Sequence, residues 1–446
     1  MINKKNLFPI ISIFLFFSNQ LICQAVLDLG NKRELFLDHY LLDTIADLEL
    51  QLNTPQEVES TNIPRGYYQT IIKTDSLYRI YYRDKLDFWQ GELYDGNPGE
   101  ITKSAISWDG YHWQEEATQI NDSIKNYIFY EPPFSHNFTP FKDVNPNSKY
   151  EYRALSGTND TGGLFYFYSI DGITFKKFKN KPVIKHDPNY YEFDSQNIAF
   201  WSETENQYVC YYRRLINGLR SFSRTTSKDF ENWSKPINIF PNFEGEHLYT
   251  SGIQPYFRAP HIYIGLPTRF FPENGNSTDI VFISSRDGVI FNRTFKEAFI
   301  RPGLKTERWG NRSNYITLNL VPLDETHMGI YARNTLFKIR MDGFSSVNSK
   351  SKEGFFITKP FRFNGDKLEV NYSTSAGGFI KIEILDENSE PSINGVSYTT
   401  GKIIGDEIAG KVIWQNSLDL DAIRNKVIKL RVSMKEADLY SFQFNN

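Results

Sequence analysis

Ser107-Trp108-Asp109-Gly110, with Trp113 three residues on, is one copy of a short pattern that recurs along the chain. The other copies are Ser169-Ile170-Asp171-Gly172 with Phe175, the degenerate Ser227-Lys228-Asp229-Phe230 with Trp233, and Ser285-Arg286-Asp287-Gly288 with Phe291. Successive serines lie 62, 58 and 58 residues apart, and Met341-Asp342-Gly343-Phe344 is a weaker fifth copy. Asp-Gly favours a tight hairpin, because glycine accepts positive φ and the aspartate side chain caps the turn. These aspartates are therefore read as turn-formers rather than catalysts. Each copy is preceded by a strand-like run, most of them ending in a basic residue: Leu77–Arg83, Lys149–Leu155, Gln207–Arg213, Ile262–Arg269 and His327–Arg333. A period of about 60 residues fits one four-stranded blade with its loops. The spacing predicts an all-β protein whose residues 26–350 form a five-bladed β-propeller carrying the catalytic site.

Beyond residue 350 the texture changes. Phe379-Ile380-Lys381-Ile382-Glu383-Ile384 and the segments Val427–Val432 and Leu439–Phe444 alternate apolar and polar residues, the period of half-buried antiparallel strands. Residues 351–446 are expected to form a C-terminal β-sandwich with an accessory role. At the other end, Lys4 and Lys5 precede an apolar run from Leu7 to Phe17, and small or polar residues follow. Residues 1–25 thus read as a signal peptide, and the expected location is secreted or periplasmic. No run is apolar and long enough to predict a membrane span.

Composition narrows the partners. The net charge of −3 gives no global basic field for nucleic acid. Of two cysteines, Cys23 falls in the signal region, so Cys210 alone remains and no disulfide framework can form. No His-x-His or His-Glu-x-x-His spacing occurs, and neither a catalytic metal nor another cofactor is expected. Aromatic residues make up 16% of the chain, with 27 Tyr and 36 Phe. Tyrosine suits both sheets and sugar-binding surfaces.

Several segments carry a resemblance to a known group. They are Arg33-Glu34-Leu35-Phe36-Leu37-Asp38, Ser135-His136-Asn137-Phe138-Thr139-Pro140-Phe141, Asp194-Ser195-Gln196-Asn197, Glu246-His247-Leu248-Tyr249-Thr250, Ala259-Pro260-His261-Ile262-Tyr263 and Arg312-Ser313-Asn314-Tyr315. In these the chain resembles secreted bacterial proteins similar to the propellers of glycoside hydrolase families 32 and 43. The resemblance implies the fold and an oligosaccharide ligand. It does not carry over a reaction: the Asn-Asp-Pro, Arg-Asp-Pro and Glu-Cys motifs that hold those families' carboxylates do not occur here.

Propellers bind ligands at the mouth of the central channel, so the polar motifs between repeats are the site candidates. The catalytic candidates are His136, His247, His261 and Arg312. The substrate-binding candidates are Tyr67, Asn137, Asp194, Gln196, Asn197, Arg213, Tyr249, Arg258, Arg269 and Tyr315. Convergent Arg and His donors suit a carboxylate or sulfate, which points to uronate-containing, sometimes sulfated, oligosaccharides. The favoured reaction is β-elimination of the lyase or dehydratase type, giving an unsaturated sugar. It needs a His or Tyr base, a His or Tyr acid, and Arg or Asn donors for the enolate-like charge. Hydrolysis is the alternative. It needs a carboxylate pair, for which Asp194 and Glu246 are candidates with Asp38 or Asp143 behind them. A non-catalytic sugar-binding propeller is the third reading.

Overall fold

The computed structural model describes residues 25–91, 97–118, 126–415 and 419–446. The segment read as a signal peptide lies outside them, apart from its last residue. The described elements are β-strands and single 3-10 turns, an all-β chain. Among the described residues no helix is long and apolar enough to cross a membrane.

Small antiparallel sheets follow one another along the repeats. The first joins Tyr67–Lys73, Tyr78–Lys85, Glu100–Ser107 and Gln114–Glu115 in chain order. The second contains Thr139–Lys142, Tyr152–Ser156, Gly163–Ser169 and Lys176–Lys177, with Ile184–Lys185 also on Gly163–Ser169. The third joins Ile198–Ser202, Gln207–Ile216, Leu219–Ser227 and Ile237–Ile239. The fourth repeat is split into two three-stranded pieces, Gln254–Tyr256 with Ala259–Gly265 and Ile283–Ser285, and His247–Leu248 with Thr268–Phe271 and Ser277–Ile280. The fifth joins Val321–Pro322, His327–Ala332 and Thr335–Arg340, and takes its last strand, Gln56–Val58, from the beginning of the chain. The middle strands are buried on both faces, as in Tyr208–Arg213, which explains their nearly unbroken apolar and aromatic runs.

The Ser-x-Asp-Gly turns do what their chemistry predicts. In the first, Ser107 Oγ accepts from the Gly110 amide at 2.9 Å, while Asp109 Oδ1 accepts from the Tyr111 and His112 amides at 2.7 and 2.8 Å. The glycine also serves the neighbouring sheet. Tyr81 of the first sheet donates to Gly172 O, Tyr211 of the third to Gly288 O, and Tyr331 of the fifth to Gly110 O of the first. A Cβ on Gly288 would stand 2.8 Å from the Tyr211 hydroxyl, and φ there is +68°, so both packing and backbone require glycine. In the degenerate copy Phe230 takes this place with φ +68°, and its ring packs on Tyr166 of the second sheet at 4.8 Å. One repeating signature thus sets both the turn and the contact between sheets.

Seven strands from Ser345 onward and four from residues 27–52 form one hydrogen-bonded sheet of eleven strands. Its two long members, Lys367–Asp386 and Val427–Asn445, pair from Lys367↔Asn445 to Asp386↔Ile428 with breaks near residues 371 and 374–379. The strands Leu27–Gly30, Arg33–Leu35, Leu42–Ala46 and Glu49–Leu52, placed with the repeats on sequence, hydrogen-bond into this same sheet. Their apolar residues Leu29, Phe36 and Leu42 fill its core beside Phe356, Phe361 and Phe442. These segments have no Asp-Gly turn of their own, so the repeat signal could not place them.

Candidate active site

At the start of the fifth repeat sheet the chain lies beside the first strand of the first sheet in parallel, with the Ile71 amide donating to Leu318 O and the Leu318 amide to Gln69 O. Residues just before or at the start of the first strands meet, Tyr68 with Tyr249 and Tyr315, and His136 with Asp194. The ends of the second strands, which return antiparallel, gather there too.

Tyrosines and arginines dominate that end. Tyr68, Tyr249, Phe270 and Tyr315 pack together with Tyr67 against them. Tyr68 stacks on Tyr315 at 5.7 Å, and Tyr249 lies 5.1 Å from Tyr315. The Arg213 and Arg220 guanidiniums sit 4.6 and 4.8 Å from the centre of the Tyr249 ring. Arg83 lies over both Tyr67 and Tyr68, and Arg333 lies over Tyr67 while donating to its hydroxyl at 2.9 Å. Arg312 adds its charge to Tyr315, Tyr68 and Tyr249. Arg83, Arg213 and Arg333 end the matching strand-like runs of the first, third and fifth repeats.

Two carboxylates answer these five guanidiniums. Asp194 pairs with Arg213 and accepts from the Tyr191 hydroxyl at 2.8 Å. Glu100, fully buried, lies 3.0 Å from His136 Nδ1 and 3.3 Å from Arg83. His136 Nε2 is 3.9 Å from Asp194, so the 2% exposed imidazole stands between the two carboxylates. Burial opposes its charge, but Asp194 and Glu100 outweigh that and raise its pKa, against Arg83. Burial would raise Asp194, yet His136 and Arg213 hold it well below the usual carboxylate range. The tyrosines diverge. Desolvation raises Tyr68 and Tyr315, whereas at Tyr249 it is overcome by the Arg213 guanidinium, and that phenol falls below its ordinary value. Arg213 Nε and Nη1 and Arg312 Nε find no hydrogen-bond partner in the protein.

Strained backbone marks the same place. Eight described residues other than Gly, Asn and Asp have positive φ, and four of them are Tyr68, Phe193, Arg312 and Arg333. The Tyr67–Lys73 strand is bulged between Tyr67 and Thr70, which turns Tyr68 out of the ladder.

Of the candidates read from sequence, Tyr67, His136, Asp194, Arg213, Tyr249, Arg312 and Tyr315 come together here. His247 borders the cluster, its ring 6.1 Å from Phe270. Its Nδ1 accepts the Arg220 amide at 3.1 Å, so the neutral ring carries its proton on Nε2 and can donate there but not accept. Burial and then Arg220 lower its pKa and favour that neutral form.

Others serve the scaffold. Asn137 donates to the carbonyls of Gly157, Phe193 and Ser195, and Asn197 to those of Phe193 and Ser195, so this pair clamps the turn that presents Asp194. Gln196 donates to Gln69 O and Thr70 Oγ1, and with the Thr317 to Gln69 hydrogen bond it floors the cluster. His261 is 3.0 Å from Glu34 and Arg258 is 3.1 Å from Asp342, both where the repeats meet the eleven-stranded sheet. Arg269 is held by Asp279 and Glu246. Glu246 is further paired with Arg293, Asp38 with Arg286, and Asp143 with Arg153. Sequence reasoning missed Glu100, Arg83, Arg220 and Arg333. Two of these were visible as the repeated basic strand end. Among the described residues no group of three or more His, Cys, Asp or Glu is placed to hold a metal.

No protein-family profile and no curated protein sequence matches the chain. Solved structures similar to it include an endo-arabinase from Bacteroides thetaiotaomicron, at 12% identity and TM-score 0.41, covering 65% of this chain and 96% of that one. A thermostable family-43 glycoside hydrolase matches at 12% identity and TM-score 0.43, covering 66% and 96%. An exo-inulinase from Aspergillus awamori matches at 12% and 0.36, covering 89% and 98%.

Proposed function

We propose that this protein is a secreted or periplasmic enzyme that acts on uronate-containing oligosaccharides by β-elimination, and that its repeat sheets are the five blades of a propeller around the site. The reading rests on one observation: the Tyr249 phenol lies between the Arg213 and Arg220 guanidiniums, in a cluster where five arginines face two carboxylates. Neighbouring titratable groups with pKa values pushed apart are the mark of an acid and a base. Tyr249, lowered, is the base; Tyr68 or Tyr315, kept protonated, is the acid. In the reaction the Tyr249 oxygen takes the proton on the carbon beside the substrate carboxylate. The C–H electron pair becomes a C=C bond to the next carbon. The group on that carbon, a sugar oxygen or a hydroxyl, leaves with the electrons of its bond and is protonated by the acid. Arg312 holds the substrate carboxylate as charge builds on it, and the buried Arg213 adds its positive charge through the Tyr249 ring. His247 contributes a hydrogen bond from Nε2 and is not the base.

Hydrolysis finds less support. Glu246, Asp38 and Asp143 are each tied to an arginine away from the cluster, and Glu100 is fully buried against His136. Only Asp194 is left to meet a sugar, whereas hydrolysis needs two carboxyl groups. The test is incubation with acidic oligosaccharides, followed by mass and by absorbance near 235 nm. An absorbing product whose mass shows loss of water, or cleavage without its gain, is expected. Cleavage with gain of water establishes hydrolysis instead, and binding without turnover establishes a lectin.

A further inference from the structure

A second concavity lies on the outer side of the strand that lines the tyrosine cluster. Side chains alternate along Thr268–Phe271: Thr268 and Phe270 face inward and are buried, while Arg269 and Phe271 face outward. There they line a pocket of about 550 Å³ with Arg301, Leu304 and Trp309. Trp309 is 59% exposed and Leu304 fully exposed, a cost that the fold alone does not require. The indole is fixed nonetheless, since its Nε1–H donates to Gly303 O at 2.9 Å. Facing it, Asp279 and Arg269 form a bidentate pair at 2.8 and 2.7 Å, which sets a carboxylate and a guanidinium in one rigid frame. The pocket joins the cluster through chain neighbours: Arg312 follows Trp309 by three residues, and Gly310 O accepts from Thr278.

We infer that this pocket is a distal subsite that binds a neutral, hydroxyl-rich sugar residue of the same chain whose uronate lies at the tyrosine cluster. The flat apolar face of a sugar ring stacks on the indole of Trp309. Its adjacent hydroxyls meet a fixed pair, donating to Asp279 and accepting from Arg269. That pair offers hydroxyls a fixed acceptor and a fixed donor, and the Arg301 guanidinium beside it is a further donor. Side chains on opposite faces of one sheet lie on the order of 10 Å apart, so the two sites engage different residues of an oligosaccharide and not one ring.

The inference rests on the elimination reading for the identity of the chain, and the test separates the two. Wild type and Trp309→Ala are compared on oligosaccharides of alternating uronate and neutral hexose, two and six units long. Binding is measured calorimetrically in a Tyr249→Phe background, turnover without it. The six-unit chain should bind the parent more tightly than the two-unit chain, and Trp309→Ala should remove roughly tenfold of that advantage, the scale of one aromatic stack. It should leave turnover of the two-unit chain unchanged. A length advantage that survives Trp309→Ala, or none in the parent, overturns the subsite. Failure of the parent to bind either chain overturns the functional reading itself. Because Trp309 is exposed and fills no core, the substitution leaves the fold intact.

Discussion

The two ends of the five first strands could hardly differ more. At their starts stand Tyr68, His136, Asp194, Tyr249 and Arg312 with their partners. About four residues or some 13 Å further along each of these segments, a cavity of about 410 Å³ is lined by Ile71, Phe141, Ile198, Phe257, Leu320 and similar residues from all five repeats. Between them lies the Gln69–Gln196–Thr317 floor. Both ends collect residues from every repeat, so symmetry alone does not make a site. The difference lies in what the ends bury. The apolar end hides surface that the hydrophobic effect explains. The polar end holds guanidinium nitrogens without protein partners and four strained residues, features that cost stability and that the hydrophobic effect does not explain.

The comparison breaks most sharply at Tyr249. Tyr249→Phe removes the proposed base but keeps the ring, so kcat/KM should fall by roughly 10³-fold, within the range for a general base, with Tm nearly unchanged. Steady-state kinetics beside thermal melting checks this, and full activity in the variant would move the chemistry elsewhere. Arg213→Met comes next, with a fall of about 10²-fold in kcat/KM, the scale of one lost charge-stabilising donor. The pH profile should move as well. Arg213 holds the Tyr249 phenol below its ordinary value, so without it the phenolate forms at higher pH and the rising limb of activity shifts upward.

His136 sharpens the contrast through stability. Its folded pKa is raised above the unfolded value, so its contribution is fully present below about pH 6.5, the unfolded value, and is lost as pH rises through the folded pKa. His136→Asn should therefore cost most at pH 5.5, about 2 kcal/mol for unpairing buried carboxylates, and less at pH 9. Urea unfolding at both pH values measures the difference. The smallest effect belongs to the apolar end. Phe257→Ala, at a partly exposed position lining that cavity, should change kcat/KM by less than about twofold and stability by about 0.5 kcal/mol, as for surface substitutions.

Much of this was legible in the chain because repetition magnifies weak signals. Four Ser-x-Asp turns at even spacing gave the strand content and the structural role of Asp109, Asp171, Asp229 and Asp287. The polar motifs at His136, Asp194, Tyr249 and Arg312 stood out because they interrupt apolar runs. Glu100 did not, since a single acid at the start of a strand looks like an edge charge until His136 is seen beside it. Asn137, Gln196 and Asn197 looked like ligand-binding amides, and their hydrogen bonds turned out to end on backbone carbonyls. His261 and Arg258 answer to Glu34 and Asp342, partners far away in sequence, which no local pattern announces. Residues 27–52 were misplaced for the same reason, because their partners lie near the other terminus.

That last pairing has a consequence for timing. Arg33 meets Gln443, and Gln56–Val58 meets Leu336–Lys338, so these strands are made long before their partners. Leu35 and Phe36 stay uncovered until the strand that carries Tyr440 and Ser441 has been made. Contacts of such long sequence separation close slowly. The interval in which that segment is available to a chaperone, a protease or another copy is therefore set by the length of chain between the paired strands.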